Sequence, residues 1–264
     1  MSATETRGDL LLAVDAGNTN TVFGIYRGAE LIESFRLSTD VERTSDEYGA
    51  TLTTLLGRAG IGTEQFSDMI VCSVVPPLHP TLVRLGEAFF GRRPLFVEPG
   101  VKTGMPIRYD NPFEVGADRI VNAVAARELC GSPVVVVDFG TATTFDIVNA
   151  KGEYAGGIIC PGVLISAEAL FAHASRLYRV DIRPPEALVG RNTATAMQAG
   201  IYYGYVGLVD GILARLKDEI PGLREIVATG GQAEMIAAGS AHLDRVEPRL
   251  TLTGLRLIHA LNRR

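Results

Sequence analysis

The chain has 264 residues, 47% of them hydrophobic, and a formal net charge of −5 at pH 7. Such a length buries a substantial core and leaves room for two domains of roughly 100 to 150 residues each. The negative balance, with no run of Lys or Arg longer than two, excludes a general attraction to nucleic acid.

The opening MSATETRGD has no cationic segment ahead of a long apolar run, and no later stretch approaches the ~18 apolar residues of a membrane span, so a cytoplasmic protein is expected. From Leu10 to Tyr26 the runs LLLAV and TVFGIY flank DAGNTN, which predicts a β-hairpin. Its tip has two readings. Asp and Asn are common in turns because their side chains bond their own backbone. Equally, Asp15, the amides near Gly17 and the hydroxyls of Thr19 and Thr21 would converge at one strand end, where a phosphate and its metal could sit.

LIESFRLST predicts a third strand, and Ser45 reads as the cap of a helix with Asp46 and Glu47 in its first turn. Tyr48, Leu52, Leu55, Leu56 and Ala59 share one face of that helix before Gly60 ends it. DMIVCSVV predicts a short buried strand, followed by a helix carrying Leu82, Leu85 and Phe89 and a strand at PLFVE. Strands first, then helix and strand in alternation, predict an α/β unit. Gly100 to Glu114 is rich in Gly, Pro, Asn and Asp, which places a boundary between domains 9–115 and 116–264.

GADRIVNAVAARELC then predicts a helix with Asp118 and Arg119 in its first turn. PVVVVDFGTATTFDIV repeats the opening pattern of apolar strand, carboxylate, glycine and hydroxyls, now around Asp138. A duplication follows: two similar half-molecules whose D-x-G loops would face each other across a cleft and hold a polyphosphate from both sides. Gly156, Gly157, Pro161 and Gly162 predict a tight loop, and LISAEALFAHASRL a helix over 164–177. Gly200, Gly204, Gly207 and Gly211 recur in a helical region from Thr193 to Ile220. Each interior glycine costs about 1 kcal/mol against alanine, so they imply close approach of another backbone or a partner subunit, unless the helix is kinked or split. EIVATGGQA predicts a strand ending in a third glycine loop, and Leu255, Ile258 and Leu261 mark a closing helix.

Cys72, Cys130 and Cys160 are odd in number and form no CxxC pair, which suits reduced, buried thiols. The scattered His79, His173, His242 and His259 read as surface or capping residues. Neither GxxxxGK[ST] nor a strand-borne GxGxxG occurs, so a P-loop and a dinucleotide fold are not indicated. What recurs is carboxylate, glycine and hydroxyl, a set suited to phosphoryl transfer, which needs positioning and charge neutralisation more than covalent chemistry. In that scheme Asp118 would accept the proton of the attacking hydroxyl and Arg119 would receive a substrate carboxylate. The alternatives stay open: a first-turn Asp also complements the helix dipole, and a first-turn Arg is often solvated.

DAGNTNTVFG at Asp15, GADR at Gly116 and DFGTATTFD at Asp138, in that order, resemble the type III pantothenate kinases of the actin, hexokinase and Hsp70 ATPase superfamily. CSVVPPL, YDNPFEVGADRIVNA, GGIICPG, GRNT, TGG and LTLTGL extend the resemblance over nearly the whole chain. It implies an α/β fold of two duplicated ribonuclease H-like domains around a central cleft. It also implies a cytoplasmic, homodimeric kinase that passes the γ-phosphate of ATP to the primary hydroxyl of pantothenate, the first step of coenzyme A synthesis, using Mg²⁺ and a monovalent cation, K⁺ or NH₄⁺. Carried over by position, Asp15, Ala16, Gly17, Asn18, Thr19, Asn20, Thr21 and Val22 would cradle the ATP phosphates, with Asp15 on the magnesium side. Thr141 would meet the nucleotide, Asp118 would be the proton acceptor, and Tyr109, Gly116, Ala117, Asp118, Arg119 and Thr193 would contact pantothenate. Asp138 matches the potassium ligand, a role that rests on the resemblance alone because a lone Asp at a strand end carries no signature for that ion.

One departure stands out: this chain reads Leu177, Tyr178, Arg179, Val180 where family members often run LPxV, which alters a loop near the acceptor pocket or dimer interface. Two other classes compete. A non-catalytic regulatory or accessory protein could retain the fold, but would tolerate loss of Asp15, Asp118 or Asp138, all present here. A sugar or acetate kinase of the same superfamily usually carries inserted subdomains, for which this length leaves little room.

Overall fold

Two five-stranded mixed sheets carry the chain, and their strand orders correspond one to one. In the first, β1 (Leu10–Ala16), β2 (Asn20–Arg27) and β3 (Glu30–Ser38) form an antiparallel meander. Helix α1 (Ser45–Arg58) then leads to β4 (Phe66–Ser73), parallel to β1, and α2 (His79–Phe90) leads to β5 (Leu95–Phe96), parallel to β4. Helix α3 (Ala117–Cys130) opens the second round: β6 (Val134–Phe139), β7 (Ala142–Val148) and β8 (Tyr154–Pro161) form the meander, followed by α4 (Val163–His173) and α5 (Thr193–Glu219). Strand β9 (Glu225–Thr229) pairs parallel with β6, α6 (Ala233–Ala237) follows, β10 (Arg245–Val246) pairs parallel with β9, and α7 (Leu250–Asn262) closes the chain. The orders β3-β2-β1-β4-β5 and β8-β7-β6-β9-β10 turn the expected sequence duplication into a duplication of topology.

The computed structural model describes residues 8–174 and 177–263. Its contacts divide the chain into two units, one comprising the chain up to Gly104 with Phe113–Val124 and Thr251 onward, the other Met105–Pro112 and Ala125–Leu250. Helix α3 is shared between them and α7 belongs to the first.

In the first unit Leu10, Leu12 and Val14 of β1 and Phe23 and Ile25 of β2 bury against Tyr48, Leu52 and Leu56 of α1 and Leu82 and Leu85 of α2. Each such side chain contributes roughly 1.5–3 kcal/mol on leaving water. The helix cap is Thr44 rather than Ser45: its hydroxyl accepts the Glu47 N–H while the Glu47 carboxylate accepts the Thr44 N–H, a reciprocal box that Ser45, with Tyr48 three residues on, cannot form. Near α3, Gly254 of α7 lets the helices close, since a Cβ there would come within 2.7 Å of Val121 Cγ1. Thr251 Oγ1 donates to Asn122 Oδ1 at 2.8 Å. The second core gathers Val135, Val137 and Phe139 of β6, Tyr205, Val209 and Leu213 of α5, and Ile226 of β9.

Four expectations change. GGIICPG is not a loop but most of β8, because pairing with β7 overrides the low strand preference of glycine. Helix α5 is one continuous element, and a Cβ at Gly200, Gly204 or Gly207 would meet no atom within 4 Å, so no other backbone of the described chain approaches there. Cys72 is buried, whereas Cys130 and Cys160 are half-buried; all three are free thiols. His259 is buried, with Nε2 3.4 Å from Asp68 Oδ2, and burial lowers its pKa. Part of the predicted helix over 164–177 lies outside the described residues, as does Arg264. Among the described residues no helix is long and apolar enough to cross a membrane.

Candidate active site

The first D-x-G loop is the β1–β2 turn. Asp15, half-buried, is paired across the antiparallel ladder with Val22 and across the parallel ladder with Cys72. The Gly17 N–H donates to the Asn20 carbonyl at 3.0 Å, closing the turn and leaving Asn18 and Thr19 exposed. Thr21 is fully buried; its Oγ1 lies 2.9 Å from Thr39 Oγ1, which donates to the Gly17 carbonyl at 2.6 Å. The Thr39 N–H also donates to the Thr19 carbonyl at 3.0 Å. The Thr21 hydroxyl thus braces the loop through Thr39, a residue that its distance along the chain hides from local sequence reading.

Gly116, Ala117, Asp118 and Arg119 form the entry to α3. Asp118 Oδ1 accepts the Arg119 N–H at 2.8 Å, and a Cβ on Gly116 would come within 2.5 Å of that oxygen, so glycine is what lets the carboxyl fold back over the helix start. Burial pushes the Asp118 carboxyl above its ordinary value, against the opposing pull of the Arg119 N–H and guanidinium charge. Arg119 is itself buried. The Cys72 thiol is held neutral first by burial and then by the negative charges of Asp15 and Asp118. The two carboxylates that the sequence sets far apart therefore act on the same buried thiol.

In the second unit Asp138 is paired with Thr144 of β7 and Thr229 of β9. Gly230, in the left-handed region at φ 91°, sits so close that a Cβ would collide with Asp138 Oδ1 and reach 2.7 Å from the Phe139 N. The Gly140 N–H donates to the Ala142 carbonyl at 3.1 Å, closing a turn one residue shorter than that of Gly17, and the carbonyl of exposed Thr141 accepts the Gly162 N–H at 3.0 Å. Buried Thr143 occupies the place of Thr21, with its Oγ1 2.9 Å from Tyr205 Oη. Tyr109 is half-buried, its ring tilted against Tyr154 at 6.4 Å between centroids. Thr193 is the exposed first residue of α5, capped by Asn192, and lines an open groove of about 560 Å³ with Leu170, Leu177, Met197 and Ile201. Among the described residues no three His, Cys, Asp or Glu side chains cluster as a metal site.

A family model described as type III pantothenate kinase matches residues 11–215. The chain belongs to the type III pantothenate kinase family. A type III pantothenate kinase of Geobacter sulfurreducens is 57% identical over 254 residues, covering 96% of this chain and all of that one. One of Myxococcus xanthus is 54% identical, covering 96% and 99%. Among solved structures, the activator of the 2-hydroxyisocaproyl-CoA dehydratase from Clostridium difficile with bound ADPNP superposes with a TM-score of 0.52 over 96% of this chain and 94% of that one, at 13% identity. That likeness gives the fold: the actin, hexokinase and Hsp70 ATPase architecture, here two mixed α/β sheets of one topology. For this pantothenate kinase family member, sequence reading missed Thr39 and Cys72, which belong to separate strands or loops and join the D-x-G turn only through the tertiary fold.

Proposed function

We propose that this chain transfers the γ-phosphate of ATP to the primary hydroxyl of pantothenate, giving 4′-phosphopantothenate at the start of coenzyme A synthesis in the cytoplasm, with 9–115 and 116–264 as its duplicated halves. The observation that carries the reading is the Asp118 carboxyl, raised by burial at the α3 entry and sharing the Cys72 thiol as a neighbour with Asp15 of the phosphate loop. A base with a raised pKa is better matched to accepting a proton near neutrality than an exposed Asp. Asp118 takes the proton of the pantothenate hydroxyl as its oxygen bonds to the γ-phosphorus and the bond to the β–γ bridging oxygen breaks, releasing ADP. Asp15 to Val22 hold the phosphates, with the exposed Asn18 and Thr19 as donors; Thr141 is a second nucleotide contact. Tyr109, Gly116 to Arg119 and Thr193 hold the acceptor, with Arg119 matched to its carboxylate.

The donor set fits a divalent ion held by one carboxylate and by nucleotide phosphates, as magnesium prefers, rather than by a protein cage. Bound there, Mg²⁺ neutralises charge on the phosphate oxygens. Asp138, with hydroxyl-bearing Thr144 and Thr229 at its register positions and glycine at 230, offers hard oxygen donors that suit K⁺ or NH₄⁺. A homodimer is part of this reading. It is supported by the half-exposed Leu164, Ile165 and Leu170 of α4 and by the open glycine face of α5. An ADP-release assay with pantothenate, ATP and Mg²⁺, run in K⁺ and again in Na⁺, tests the proposal. Pantothenate-dependent turnover in K⁺, reduced in Na⁺, is expected; none in K⁺ refutes it.

A further inference from the structure

Asp146 is a fully buried carboxylate that the phosphoryl-transfer scheme does not use. It lies on β7, two residues after Thr144, the register partner of Asp138, so Thr144 and Asp146 share one face of the strand. Its Oδ2 accepts from Thr144 Oγ1 at 2.9 Å and its Oδ1 from Tyr154 Oη at 2.8 Å. Tyr154 is also fully buried. A carboxyl group so deeply placed is costly unless its acceptors are engaged, and these two hydroxyls engage both oxygens.

The backbone around Tyr154 is shaped for a further task. The β7–β8 register shifts between Asp146 and Val148, and Gly156 takes up the irregularity at φ 109°, a bulge of the kind that re-aims side chains. The backbone of Tyr154 then holds the segment entering from Met105: its N–H donates to the Pro106 carbonyl at 2.9 Å and its carbonyl accepts the Arg108 N–H at 2.7 Å. Arg108 is tied to Glu153 at 2.8 Å. The next residue, Tyr109, lays its ring against Tyr154 and over Gly156, where a Cβ would stand 3.8 Å from Tyr109 Cε2. Asp146 thus fixes Tyr154, and Tyr154 fixes both the backbone entering Tyr109 and one wall of its ring.

We infer that Asp146 and Tyr154 are positioning residues for acceptor binding, holding Tyr109 in place through the buried Tyr154–Asp146 hydrogen bond. The inference rests on the proposed role of Tyr109 in contacting pantothenate. Leaving a buried acceptor without its donor costs enough that, passed on to Tyr109, it shifts a binding constant by about tenfold.

The test compares Tyr154→Phe, which keeps the ring and removes only the donor, with Asp146→Asn, Tyr109→Ala and the double variant Tyr109→Ala/Tyr154→Phe. KM for pantothenate and for ATP, kcat, and pantothenate binding by calorimetry are measured alongside thermal melting. Tyr154→Phe is expected to raise the pantothenate KM and Kd about tenfold with the ATP KM and kcat within about twofold. In the double variant the two effects should fall well short of adding, because one acts through the other. A Tyr154→Phe enzyme that melts and turns over normally with an unchanged pantothenate KM overturns the positioning role while leaving the kinase reading intact. A fall in kcat and melting temperature with both KM values unmoved assigns the pair to the core and overturns it too. Should Asp146→Asn fail to fold, Tyr154→Phe still decides the question. Wild-type protein that neither binds nor phosphorylates pantothenate overturns the kinase reading and this inference with it.

Discussion

Across the parallel ladder Asp15 is paired with Cys72, whereas Asp138, at the equivalent place in the second sheet, is paired with Thr229 and crowded by Gly230. The two loops share a strand order, a glycine-closed turn and a buried threonine one step beyond. They differ in what surrounds the carboxylate. The first unit adds a second acid, Asp118, whose charge reaches a thiol too buried to ionise, the surroundings on which the proposed proton transfer rests. The second adds hydroxyl-bearing residues at its register positions and a glycine with no room for a side chain, the surroundings on which the proposed cation site rests. A duplicated fold has kept its frame and changed the surroundings of its two carboxylates, because the frame depends on strand pairing and the surroundings on a few residues at strand ends.

The largest effect that separates the two loops is expected at Asp118. Asp118→Asn should cut kcat by about 10²- to 10⁴-fold, while its melting temperature at pH 7 stays level or rises. The sign follows from burial: a carboxyl whose folded pKa is raised opposes folding once pH exceeds its unfolded value, and Asn removes that charge. In the wild type kcat/KM should fall with acid along a limb centred above the ordinary Asp value of 3.8, since lowering pH through the raised pKa protonates the base. Near-native turnover in the variant would return Asp118 to a helix-capping role and remove the asymmetry.

A smaller effect contrasts the glycines. Gly230→Ala should destabilise by roughly 1–3 kcal/mol, since it combines a left-handed backbone with collisions at Asp138 and Phe139. Gly17→Ala, whose Cβ would stand 3.3 Å from the Asn20 carbonyl, should cost under about 1 kcal/mol. Urea titrations of both compare them directly, and equal costs would show the two loops to be equally crowded. The smallest effect concerns the brace. Thr39→Val removes the hydroxyl that joins Thr21 to the Gly17 carbonyl, at about 1 kcal/mol, and should raise the ATP KM severalfold with the pantothenate KM unchanged. A rise confined to pantothenate would move Thr39 out of the phosphate loop.

Much of the frame was readable along the chain. Leu10 to Tyr26 and Val134 to Phe145 announce strand, carboxylate turn and strand because strand propensity and turn chemistry are local. Even the Thr44 cap had a signal, with Glu47 three residues on, although the adjacent Ser45 obscured it. By itself, the sequence determined the two D-x-G turns, the GADR helix entry, most of the first unit's order of helices and strands, and the family. The tertiary structure alone decided that GGIICPG is a strand, that Thr39 braces the first loop, that Cys72 shares its surroundings with Asp15 and Asp118, and that Asp146 and Tyr154 stand behind Tyr109. The physical reason is common to all four. Each depends on a partner brought in from another strand, and pairing across a sheet rewards contacts that no local propensity or periodicity records.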